Sequence, residues 1–199
     1  MGGARRTFRS DNNAGMCPEA LAALQEANSA GHATGYGDDA WTAEAVAQFR
    51  RIFGEETAVF FVATGTIANV LSIACLTEGW QRIICHSHSH LNDDESTAPE
   101  LFTGCRVTTV EKRESKLTAE DVERAASVGR GDVHQPQAGV VSVSNPTEFG
   151  EVYSPEEMRA ICEVAHARGY RVHVDGARFA NAVAHLKCDP KAISCDAGV

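Results

Sequence analysis

The stretch HVDGARFANA, residues 173–182, places two charged side chains where an apolar strand meets a glycine turn. Asp175 ends the strand-like run, and Arg178 follows three residues later. A partly desolvated carboxylate is costly unless it has a cationic partner. One interpretation is a structural ion pair between Asp175 and Arg178. The other is that Asp175 pairs with a cationic ligand atom while Arg178 binds a ligand carboxylate through its guanidinium fork. These two residues alone leave both interpretations open.

The segment Thr64-Gly65-Thr66 lies between the apolar run TAVFFVA and a helix-like segment. Glycine lets a backbone approach a ligand closely, and the free N–H groups of a first helical turn attract anions. The segment is therefore either a phosphate site or an ordinary turn capped by threonine. It is neither a Walker A loop nor a GxGxxG dinucleotide fingerprint.

The loop HSHSHLNDDES carries histidines at alternate positions, followed by three acids. Such a composition is compatible with a metal site. The alternatives are a solvated polar loop or one imidazole lying flat against an aromatic ligand. We expect no metal site here.

Another polar loop, NPTEFG, follows the apolar run AGVVSVSN and contains Glu148. The carboxylate of Glu148 either faces a cleft or lies on a surface loop, and the sequence does not decide between them.

The elements that must position these residues alternate between strand-like and helix-like periodicity, which predicts βαβ units around a mostly parallel sheet. Ligand sites in such sheets lie beyond the carboxyl ends of the strands. Thr42, Thr118 and Ser154 are the predicted helix N-caps. The predicted strands are TAVFFVA, QRIICH, CRVTTVE, AGVVSVSN and YRVHVD.

The composition of the 199 residues is that of an ordinary globular protein, with 43% apolar and 23% charged residues. The net charge of −9 argues against binding to nucleic acid or to an anionic membrane. No segment has the apolar length of a membrane span, and the N-terminus lacks the apolar core of a secretory signal. The seven cysteines form no CxxC pair, which indicates reduced thiols in a cytoplasmic protein.

Four segments in this order resemble the threonine aldolase and aromatic amino-acid β-eliminating lyase family of pyridoxal phosphate (PLP) enzymes. They are SDN from Ser10, HATGYGDD, ATGTIANVLSI and HVDGARFANA. The resemblance implies a three-layer αβα fold, the large domain of fold-type-I PLP enzymes. We expect an N-terminal arm and helix over residues 1–45 and an incomplete PLP-binding domain over residues 46–199.

The resemblance also implies roles for individual residues. Asp175 would pair with the protonated ring nitrogen of PLP, and the histidine His90 would stack on the ring. The cofactor phosphate would bind Gly65 and Thr66. The substrate-binding residues would be Ser10, Arg178 and Tyr36, the last through a loop that reaches a neighbouring subunit.

Two departures from the family pattern stand out. Glu148 occupies the position of a histidine that acts on the substrate β-hydroxyl, and a buried carboxylate would be able to move that proton. The family's Schiff-base lysine has no counterpart, because Lys112, Lys116, Lys187 and Lys191 match no SFxxTKNG-like motif. We therefore expect an N-terminal portion of a longer enzyme, truncated before its last strands and inactive by itself.

The implied activity is that of a PLP-dependent lyase that cleaves the Cα–Cβ bond of a β-hydroxy amino acid or eliminates a β-substituent. The alternatives are another fold-type-I enzyme, such as an aminotransferase or decarboxylase, and a catalytically silent fragment. The expected partners are an amino-acid substrate and further copies of the chain, as a homodimer or homotetramer of the full-length protein.

Overall fold

The computed structural model describes residues 10–199, so residues 1–9 of the predicted N-terminal arm lie outside the described residues. The chain divides into two units, Met1–Gln48 and Phe49–Val199. The predicted domain boundary after residue 45 stays a prediction. Among residues 10–199, no helix combines the length and the apolar character that a membrane span requires.

The first unit contains a 3₁₀ turn at Asp11–Asn13, helix α1 at Pro18–Ser29 and most of helix α2, which runs over Ala40–Phe53. The predicted cap of α2 is wrong by three residues. Asp39 precedes the helix and accepts hydrogen bonds from Thr42 N at 2.8 Å and from Thr42 Oγ1 at 2.7 Å. An aspartate caps at least as well as threonine, so the helix begins one turn earlier.

The second unit alternates helices and strands. Its elements are α3 (Gly65–Leu76), β1 (Gln81–His86), α4 (His90–Asp93), α5 (Ala98–Thr103), β2 (Arg106–Val110), α6 (Ala119–Ser127), β3 (Gln137–Ser144), α7 (Pro155–Ala167), β4 (Arg171–Asp175) and α8 (Phe179–Leu186). Two 3₁₀ turns, Pro190–Ile193 and Cys195–Ala197, follow α8. The predicted N-caps Thr118 and Ser154 are confirmed.

The four strands form one parallel sheet in the order β2-β1-β3-β4. From β1 the chain moves outward to β2, then crosses back to β3 and continues outward to β4. The order in which the chain adds strands to the sheet therefore reverses between β1 and β3. The loops that follow these two strands diverge there. A crevice at such a reversal is the usual ligand site of parallel sheets.

The sheet is covered on both faces, as a parallel sheet requires. One face packs against α6 and α7, where Ile84, Val141 and Ile161 are fully buried. The other face packs against α3 and α5, where Ile73 and Ile83 are fully buried. Each such side chain contributes roughly 1.5–3 kcal/mol by leaving water. The smaller α3 face also carries the polar groups described below.

The predicted strand TAVFFVA is wrong, because residues 57–63 form neither a strand nor a helix. A strand requires a neighbouring backbone, and this segment pairs with none of the four strands of the sheet. Its aromatic side chains are not buried either, since Phe60 and Phe61 are 84% and 58% exposed. An apolar run predicts burial only where a partner surface is present.

Candidate active site

Asp175 lies at the end of β4, where its half-buried carboxylate faces the first turns of α3. Oδ2 accepts a hydrogen bond from Asn69 Nδ2 at 2.9 Å, and Oδ1 accepts one from the backbone N–H of Ala177 at 3.0 Å. A carboxylate offers about four acceptor positions. These two bonds therefore fix the orientation of Asp175 and leave capacity for a further donor.

Glu95, just after α4, joins the same cluster through its fully buried side chain. Its Oε1 accepts a hydrogen bond from Asn69 Nδ2 at 2.6 Å and lies 2.9 Å from His90 Nδ1. Because an ionised carboxylate only accepts hydrogen bonds, His90 carries a proton on Nδ1. The second oxygen, Oε2, is buried and has no hydrogen-bond partner among residues 10–199.

The charge on His90 is favoured by its surroundings. Partial burial by itself lowers the pKa of the imidazole, but the hydrogen bond to Glu95 and the charge of Glu95 act in the opposite direction. The charges of Glu148 and Asp175 add to that effect, so the pKa of His90 is raised above its ordinary value. The imidazole side chain remains 40% exposed, which leaves ring surface available to a ligand.

The other two histidines of HSHSH have different partners. His86 Nδ1 accepts a hydrogen bond from the backbone N–H of His88 at 3.0 Å, so its Nε2 donates to Glu114 O at 2.9 Å. His88 Nδ1 lies 3.2 Å from Asp93 Oδ2. Of the three histidines, His90 is the one that joins Asp175.

The first turn of α3 supplies the second part of the candidate site. Thr64 precedes the helix, and its Oγ1 accepts a hydrogen bond from Ile67 N at 3.2 Å. The N–H groups of Gly65 and Thr66 have no acceptor within the helix, because they precede its first hydrogen-bonded residue. A Cβ added to Gly65 would meet no atom of the described residues within 4 Å, and the first turn, Gly65-Thr66-Ile67, contains no acid. Both features suit an anion.

Glu148 lies in the loop after β3 and is exposed. It lines a small polar cavity together with His86, His88 and Thr147. The burial on which its predicted proton-transfer role depends is therefore not found. Its negative charge is one of the smaller effects that raise the pKa of His90, after those of Glu95.

Arg178 precedes α8 as its N-cap residue, with an exposed side chain three residues beyond Asp175. Ser10 and Tyr36 belong to the first unit. Ser10 caps the 3₁₀ turn by accepting a hydrogen bond from Asn12 N at 3.2 Å, while Tyr36 is exposed with a left-handed backbone, φ 64°. The substrate-binding roles of these three residues stay predictions.

Sequence reasoning assigned no role at the cofactor site to three polar residues of this region, although it noted Glu95 among the three acids after HSHSH. Asn69 lies one turn after Thr66, and Glu95 lies five residues after His90, but neither spacing reveals the contacts that they share. His173 is buried on β4, and Ser142 Oγ lies 2.9 Å from its Nδ1. Burial lowers the pKa of His173 to about 4, against an opposing effect of the Asp175 charge.

The arrangement fits PLP. The remaining acceptor capacity of Asp175 suits a protonated ring nitrogen, the half-exposed His90 suits the ring face, and the acid-free start of α3 suits a phosphate. Nitrogen and oxygen atoms of His90, Glu95 and Asp175 also lie within 4.8 Å of one another, a spacing that a metal ion would accept. The amide N–H groups of Asn69, however, already point at both carboxylates.

Comparison with known proteins places the chain in a family. The family model described as Beta-eliminating lyase matches residues 7–197. A low specificity L-threonine aldolase from Pseudomonas sp. (strain NCIMB 10558) is 42% identical over 193 residues, which are 96% of this chain and 55% of that relative. One from Pseudomonas aeruginosa is 43% identical over 193 residues, with the same shares. The chain thus spans about half the length of the curated relatives that it matches.

Solved structures support the same assignment. A structure of Leishmania major threonine aldolase has a TM-score of 0.85 to this chain at 27% identity, covering 91% of this chain and 53% of that chain. The predicted resemblance and the predicted α/β fold of fold-type-I enzymes are both confirmed. The chain therefore belongs to the beta-eliminating lyase family.

Proposed function

We propose that this chain provides the cofactor-binding part of a PLP-dependent lyase that acts on β-hydroxy or β-substituted amino acids. The observation that carries the proposal is the position of Asp175, at the end of β4, hydrogen-bonded to Asn69 of α3 and close to His90. The names of the Pseudomonas relatives point to L-threonine and similar substrates. When bound, PLP supplies an electron-accepting ring that stabilises negative charge on the substrate.

The residues of the chain have distinct tasks in this proposal. Asp175 accepts a hydrogen bond from the ring nitrogen and holds its positive charge. The N–H groups of Gly65 and Thr66 bind the phosphate, and His90 packs against the ring.

The substrate is held by a second set of residues. The guanidinium of Arg178 binds the substrate carboxylate and orients the bond that breaks. The role of the Ser10 hydroxyl, which belongs to the first unit, stays a prediction. Tyr36 contributes from a neighbouring copy of the chain, in a homodimer or homotetramer. Glu148 is not assigned the proton of the substrate β-hydroxyl, because its side chain is exposed and the burial on which that role depends is not found.

The location that we propose is the cytoplasm. All seven cysteines are free thiols, and three of them, Cys85, Cys105 and Cys162, are buried. Reduced cysteines are typical of proteins in that compartment.

Cofactor binding by the purified chain tests the proposal directly. We expect PLP to bind, as measured by calorimetric titration, and Asp175→Asn to weaken binding by about 30-fold, because the substitution removes a charge-assisted hydrogen bond worth about 2 kcal/mol. The matched control is Asp196→Asn, in an exposed turn near residue 199, which should bind PLP like the wild type. Equal affinity of all three proteins, or no binding at all, would refute the proposed site.

Product analysis separates the reaction classes. Glycine with an aldehyde, or a keto acid with ammonia, supports a lyase. A keto acid without ammonia indicates transamination, and carbon dioxide indicates decarboxylation. We expect the chain alone to form no product, since no lysine of it matches the family motif, so the product assay is to be made on the longest protein that the reading frame encodes.

A further inference from the structure

Two residues outside the predicted site hold its central groups in place. The Asn69 side chain lies between two carboxylates, and its Nδ2 donates to Glu95 Oε1 at 2.6 Å and to Asp175 Oδ2 at 2.9 Å. A carboxamide nitrogen has two hydrogens, and both are used here on acids. Asn69 is only 6% exposed, so water does not replace these donors.

The Glu95 carboxylate, which accepts a hydrogen bond from the Asn69 amide, also contacts His90. Its Oε1 accepts the Nδ1 proton of His90 at 2.9 Å. A buried carboxylate bonded to Nδ1 holds an imidazole in one tautomer and one orientation. The Nε2 atom of His90 is then left free of the proton whenever the ring is neutral.

We infer that Asn69 and Glu95 are positioning residues of this site: Asn69 fixes the carboxylate of Asp175 for the cofactor nitrogen, and Glu95 fixes the imidazole of His90 against the ring. This inference rests on the proposed function. It adds a chain of hydrogen bonds that links Asp175, which we propose binds the ring nitrogen, to His90, which we propose packs against the ring face.

Stability alone does not explain Glu95. Its side chain is fully buried, and one of its two oxygens has no hydrogen-bond partner in the part of the chain that the structure describes. Burying such a group is unfavourable, and an apolar side chain would fill the same space at lower cost. A role in orienting His90 accounts for the carboxylate, because an apolar residue there would leave the imidazole Nδ1 without an acceptor.

The charges around His90 make the role of Glu95 measurable. The acids that act on the imidazole are Glu95, after α4, Glu148, in the loop after β3, and Asp175, at the end of β4. Burial lowers the pKa of His90, and these acids raise it, with Glu95 acting through both its hydrogen bond and its charge. Removing the Glu95 charge should therefore lower the pKa of His90.

The first arm of the test is an NMR titration of the cofactor-free chain, with the His90 signal identified by its loss in His90→Gln. We expect Glu95→Gln, which keeps the size of the side chain, to lower the pKa of His90 by about one unit. A residue with only a packing role would leave that pKa unchanged. An unchanged titration would overturn the assignment of Glu95.

The second arm measures affinity for pyridoxamine 5′-phosphate, a form of the cofactor that needs no lysine. We expect Asn69→Leu to weaken its binding about tenfold, with Asn69→Ser as the milder variant if the leucine protein does not fold. The matched control is Asn92→Leu, because the Asn92 amide also donates to two oxygens, Ser87 O and Asp93 Oδ1. We expect the control to bind normally.

The outcomes distinguish the two proposals. If the wild type does not bind pyridoxamine 5′-phosphate, the proposed function fails, and the positioning roles fail with it. If the wild type binds and the Asn69 variants bind equally well, the proposed function stands and the positioning role of Asn69 is overturned.

Discussion

The start of α3 differs from the starts of α6 and α7 in the way its N–H groups are used. In α6, Thr118 Oγ1 accepts a hydrogen bond from Asp121 N at 3.2 Å, and Asp121 Oδ2 accepts one from Thr118 N at 3.0 Å. Ser154 and Glu157 form the same reciprocal pair in α7, at 3.2 and 2.8 Å. In α3, Thr64 Oγ1 accepts a hydrogen bond from Ile67 N, but the reciprocal bond is missing. Ile67 occupies the position of the acid, and its side chain has no hydrogen-bond acceptor.

The difference separates two helix starts that an acid completes from the one that we propose to bind the cofactor phosphate. A capping box satisfies two orphan N–H groups and places a negative charge beside the positive end of the helix. That charge stabilises the helix and repels any other anion. α3 lacks the acid, so the same positive end stays available to a phosphate.

We expect the largest effect from a negative charge placed in the first turn of α3. Thr66→Glu should weaken PLP binding by about 100-fold, because a carboxylate near the phosphate costs several kcal/mol in a partly desolvated site. The melting temperature should not fall, since an acid in the first turn favours the helix. Titration calorimetry and thermal denaturation measure the two effects. The control Thr66→Gln has the same length without the charge, and an equal loss in that variant would show that size rather than charge is responsible.

The next largest effect should come from removing the acid of the capping box in α6. Asp121→Asn should lower the free energy of unfolding by about 2 kcal/mol at pH 7, because the nearly buried carboxylate also binds Lys112 Nζ at 2.7 Å. PLP affinity should stay at the wild-type value. Urea denaturation checks the first expectation, and a change in affinity would argue against the separation of structural and binding helix starts.

The same variant has a defined pH dependence. Burial acts to raise the pKa of Asp121, but hydrogen bonds from Lys112, Thr118 and Arg124 outweigh it and lower the pKa below the ordinary value of 3.8. A carboxyl with a lowered pKa in the folded state stabilises the protein above its ordinary pKa, and that contribution is lost as the pH falls through the lowered value. The advantage of the wild type over Asp121→Asn should therefore begin to decline below about pH 4 and disappear only at a pH below the lowered pKa.

The smallest effect should follow from weakening the start of α7. Ser154→Ala removes one half of the capping box and should cost about 1 kcal/mol of stability, again with unchanged PLP affinity. Because Pro155 and Glu157 remain, the helix itself should persist in circular dichroism. A loss as large as that in Asp121→Asn would mean that the cap of α7 contributes as much stability as the hydrogen bonds and ion pairs of Asp121.

The sequence allowed the prediction of those elements whose signals are local. The caps Thr118 and Ser154 and the acid that ends β4 follow from residue type and spacing. TAVFFVA failed because an apolar run does not reveal whether a partner strand is present. Asp39 and Thr42 are both good caps, so composition did not choose between them.

The polar interior of the site was beyond local reasoning. Asn69 and Glu95 are 26 positions apart, and only the packing of α3 beside the segment between α4 and α5 brings them together. His173 reads as part of an apolar strand, and its hydrogen bond with Ser142 depends on the pairing of β3 with β4. Residue spacing along the chain does not indicate such contacts.

The hydrogen bond between Asn69 and Asp175 joins residues 106 positions apart. A chain that has formed only its local helices cannot present this pair, because a loop of that length must close first. A molecule that recognises the pair therefore binds the native ensemble and not the unfolded chain. By mass action, a hundredfold excess of such a molecule over its dissociation constant would shift the folding equilibrium by about 2.7 kcal/mol, so the cofactor would also act as a folding ligand.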